Sequence, residues 1–86
     1  MQNKIFAVFA EHQPTRQEVC FIVVAADEGQ VGWPLMGIFG NSLWADFAPS
    51  KLLPIGSAHD REQGFVDMFG PEECLLPLKE KLKTFI

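Results

Sequence analysis

Glu18-Val19-Cys20-Phe21-Ile22-Val23-Val24-Ala25-Ala26 is the stretch on which the fold turns. Its Val-Cys-Phe-Ile-Val-Val centre is unbroken by any polar residue. β-Branched and aromatic types of this kind suit a pleated surface, and a run without alternation predicts a central strand covered on both faces. Asp27-Glu28-Gly29 closes it with turn chemistry, since glycine accepts backbone angles that a Cβ would obstruct. The same closure keeps the longest apolar run far short of the ~18–20 residues that a membrane span needs.

Working outward, residues 4–10 read Lys-Ile-Phe-Ala-Val-Phe-Ala, a second strand, and the polar loop punctuated by Pro14 predicts that the two pair as a hairpin. Residues 51–57 form a third strand in which Pro54 demands an edge position, because proline offers no donor to a central ladder. Between them lies an irregular region where Gly32, Gly37 and Gly40 interleave with large apolar residues. The local pattern there predicts a short strand over residues 35–39. A brief helix follows over 43–48, capped by Ser42 and ending before Pro49.

Asp60 followed by Gln63 matches a capping pattern, and Phe65, Val66 and Phe69 then share a helical face, which predicts a helix over 61–69 ended by Gly70-Pro71. Gly64 weakens that helix by up to about 1 kcal/mol, so its Phe face must supply the stability. A last helix starts at Pro71 with Glu72 and Glu73 at the positive end of its dipole. Pro77 divides or restarts it. Leu78, Leu82, Phe85 and Ile86 form its apolar face, opposite Lys79, Lys81 and Lys83. Strands first and helices later predict an α+β fold: a small antiparallel sheet of three to four strands with two C-terminal helices packed on one face.

The 86 residues make a single domain, 1–86, that buries a little over ~60% of its unfolded surface and keeps a thin margin of stability. With 48% apolar residues, some of them must stay outside that core. A net charge of −4 and scattered lysines and arginines argue against a phosphate-backbone binder, so no nucleic-acid partner is expected. Cys20 and Cys74 are too few and too far apart for a disulfide framework and read as reduced thiols. The opening Met-Gln-Asn-Lys lacks the pattern of a signal peptide, which predicts a cytoplasmic protein with no membrane partner.

Gly56-Ser57-Ala58-His59-Asp60 holds a nucleophile, a base and an acid, but neighbours two and three apart in a loop seldom converge as a triad does. It reads as a polar turn. His12 and His59 lack metal-motif spacing, and the glycines at 29, 32, 37 and 40 form no phosphate cradle. No metal or cofactor is expected. The remaining feature is the aromatic group Trp33, Phe39, Trp44 and Phe47, which is difficult to bury completely and serves as interface, ligand pocket or core lid. These residues are the candidate site. The function they predict is a non-enzymatic binding or interaction module, self-associating as a homo-oligomer, most simply a dimer, or docking on a protein partner. The alternative is a small-molecule-binding domain or small enzyme with a pocket lined by the 33–47 segment.

Overall fold

The computed structural model describes residues 3–83. Its elements run β1 (Asn3–His12), β2 (Gln17–Ala25), a 3₁₀ turn (Glu28–Gln30), α1 (Gly32–Trp44), β3 (Phe47–Ala58), β4 (Gly64–Phe69) and α2 (Glu72–Lys83). The four strands form one antiparallel sheet in the order β3-β1-β2-β4. The fold is α+β. One helix, however, sits mid-chain rather than after all the strands, so the expected pair of C-terminal helices is corrected to strand-strand-helix-strand-strand-helix.

β1 and β2 pair without a slip from Lys4–Ala25 to His12–Gln17, and the turn is closed by the Thr15 and Arg16 N–H groups on the His12 carbonyl. β3 lies at an edge, as Pro54 requires, and carries a second proline, Pro49. Two register shifts against β1 accommodate these prolines along its 12 residues.

Two predicted elements take a different form. The expected strand over 35–39 and the separate helix over 43–48 are replaced by α1. Leu35, Ile38 and Phe39 fall on one side of that helix and, with Val31 just before it, pack on the core, and the packing offsets the poor helix propensity of its glycines. Gly40 interrupts the helix at φ 82° and ψ 163°, a conformation nearly confined to glycine, and lets Leu43 and Trp44 turn back onto the core. The expected helix over 61–69 is instead β4. β2 would otherwise present an unpaired row of N–H and C=O groups, and β4 satisfies them while turning Phe65 and Met68 inward beside Val23 and Phe21. Asp60 and Gln63 therefore lie in a loop and cap nothing.

α2 starts and carries its charges as expected, with glutamates in its first turn and lysines in its last. Pro77 lies inside one continuous helix on its exposed side, where a freed carbonyl can bond to water. Phe85 and Ile86 lie outside the described residues. The chain passes from β4 into α2 at Gly70, whose backbone is pressed so close to Val19 that a Cβ would approach Val19 Cγ2 to 3.2 Å.

Both helices lie on one face of the sheet. Phe6, Val8 and Ala10 of β1 and Val19, Phe21 and Val23 of β2 alternate toward that face, meeting Leu35, Phe39, Leu75 and Leu78. β2 is central, as its apolar run implies, but it is covered by helices on one side only. The expectation of cover on both faces is corrected: the described residues form two layers, not three. No helix among the described residues is long and apolar enough to cross a membrane.

Candidate interaction surface

The sequence-predicted aromatic group does not stay together as one surface. Phe39 and Phe47 are buried, and Trp44 is half-buried with its ring edge-on to Phe21 at 5.6 Å and stacked on Phe47 at 6.0 Å. Phe21 is the hub, with Phe39 at 6.1 Å and Phe47 at 5.3 Å. Trp33 alone of the four is well exposed, at 68%. None of the four lines either of two surface depressions. These have volumes of about 460 and 320 Å³ and flank Glu28 over β1 and β3, with Phe6, Val8, Leu52 and Pro54 among their walls.

The residues weighed for catalysis also separate. Ser57, His59 and Asp60 are exposed around the end of β3, and no hydrogen bond among the described residues joins them. His12 has a more structured setting. Its Nδ1 lies 2.8 Å from Thr15 Oγ1, which lies 3.2 Å from Cys74 Sγ, and its ring packs on Phe47 at 4.9 Å. Cys74 Sγ also donates to Gln17 Oε1 at 3.5 Å, and Gln17 Nε2 donates to Glu73 Oε1 at 2.6 Å. Sequence separation hid this grouping, because the hairpin and the start of α2 meet only in the folded chain. Its thiol is 1% exposed and thus closed to a substrate, so the arrangement clips the β1–β2 turn to α2. Among the described residues no group of three or more His, Cys, Asp or Glu converges at metal-site geometry.

The largest apolar feature left open is the sheet's second face. Side chains alternate along a strand, and directly paired residues share a face, so the register places them in rows. One row reads Leu53, Ala7, Ile22, Asp67 from β3 to β4, and the next reads Lys51, Phe9, Cys20, Phe69. Beyond them Ile5 pairs with Val24 at one end, and Glu11 pairs with Glu18 at the other. Phe69 is 56% exposed and Leu53 40%, while Ile5, Phe9, Cys20 and Ile22 are partly exposed. At the Ile5 end, Asn3 Nδ2 donates to the Arg61 carbonyl at 2.8 Å and draws the β3–β4 connection across, and Val24 is buried there. Ala7 is buried between its larger neighbours, and among the described residues no element covers Phe9, Cys20, Ile22, Leu53 and Phe69.

The Cys20 thiol responds to this position: partial burial pushes its pKa up, and the Glu18 carboxylate adds to the rise by opposing a second negative charge. It is a neutral, poorly nucleophilic thiol on an apolar face. The signal for this surface was present in the sequence as the missing alternation of β1 and β2. Apolar residues of both parities require cover on both sides, and the chain's helices supply one.

Comparisons with protein-family models, with curated proteins and with solved structures give no match to this chain.

Proposed function

We propose that this chain is a non-enzymatic protein-interaction module that works through the uncovered second face of its sheet. The observation that carries the reading is the pairing of Phe9, Cys20, Ile22, Leu53 and Phe69 on a face to which the described residues bring no second layer. A contiguous apolar patch rimmed by charged residues is what an association surface offers, and here Lys51, Asp67, Glu11 and Glu18 form the rim. The buried Cys74 and the dispersed Ser57, His59 and Asp60 favour binding over catalysis as the role of this surface. Homo-oligomerisation belongs to the same reading, with the contact moved from the 33–47 segment to the sheet.

A residue kept for contact rather than for folding can be made polar without loss of the fold. Leu53→Ser and Phe69→Ser, measured in dilute solution, should retain the circular dichroism spectrum and bind less of a hydrophobic dye than the unmutated protein. Loss of the folded spectrum in both variants would show that the face is part of the folding core and would sink the reading.

A further inference from the structure

We draw no further inference here: the strongest candidate, the open second face of the sheet around Phe9, Cys20, Ile22, Leu53 and Phe69, belongs to the surface already described, and nothing in the structure shows what covers it.

Discussion

The two faces of the sheet are built from nearly the same residue types and have different fates. On the helix side Phe6, Val8, Val19, Phe21 and Val23 are all exposed by 2% or less; on the other, Phe69 and Leu53 keep roughly half their surface. Composition does not distinguish these faces. The difference comes from the layers: α1 and α2 both return to the same side, because the connections into and out of them lead there. An apolar strand therefore specifies that it needs cover, and the rest of the chain, or another chain, determines where the cover comes from.

The comparison is broken most directly by truncating one phenylalanine on each side. Phe21→Ala removes the ring that Phe39, Trp44 and Phe47 pack around and should cost about 3–5 kcal/mol in urea unfolding, a large part of what a small domain has. Phe69→Ala, in dilute solution where the second face is open, should cost under about 1 kcal/mol, because more than half of that ring never left water. Equal costs would mean that the second face is as much a core as the first.

Within the covering layer, two glycines of α1 give the next largest effects, with opposite signs. Gly40 occupies backbone angles nearly closed to other residues, so Gly40→Ala should destabilise by about 1–3 kcal/mol although a Cβ there would touch nothing. Gly37 is helical, exposed and has open space around it, so Gly37→Ala should stabilise by ~0.5–1 kcal/mol and raise the Tm. A loss at Gly37 would mean that something outside the helix needs its bare backbone.

The smallest expected effect is the pH response of Cys20. Its pKa is raised in the folded chain, so as pH climbs through the ordinary thiol range, near ~8.5, the unfolded chain gives up its proton before the folded one does. The unfolded state is then favoured relative to neutral pH, and stability declines on the alkaline side; below that range the thiol contributes no pH dependence. Cys20→Ala should flatten this decline in denaturation curves taken between neutral and alkaline pH. An unchanged slope would assign it to other groups.

Much of this architecture was legible one strand at a time. The unbroken run in β2 marked it as central, the pattern of residues 4–10 marked its hairpin partner, and Pro54 placed the third strand at an edge. All of these depend on neighbours in sequence or on the donor that proline lacks. The candidate surface was half legible: apolar residues at both parities of β1 and β2 announced two faces to be covered, while the aromatic group at Trp33, Phe39, Trp44 and Phe47 drew the eye elsewhere. The structure spends Phe39 and Phe47 on the core and leaves Trp33 outside. Periodicity in an irregular segment carries no information on which ring meets which strand.

By itself, then, the sequence determined an antiparallel α+β domain, its central hairpin and its final helix, because local propensity, turn chemistry and charge at helix ends act over a few residues. Only the tertiary structure decided that residues 64–69 are a strand, that a glycine-rich segment is a helix, and that one apolar face is left open. Phe65 and Val66 lean to a strand by propensity, a signal masked by the helical spacing and the capping match, and the edge of β2, some forty residues upstream in sequence, gives that strand its partner. α1 forms because burying Leu35 and Phe39 against the sheet outweighs the propensity cost of its glycines. The open face remains because both helices of the described residues lie on one side, and the layer count is a property of the assembled chain that no segment carries alone.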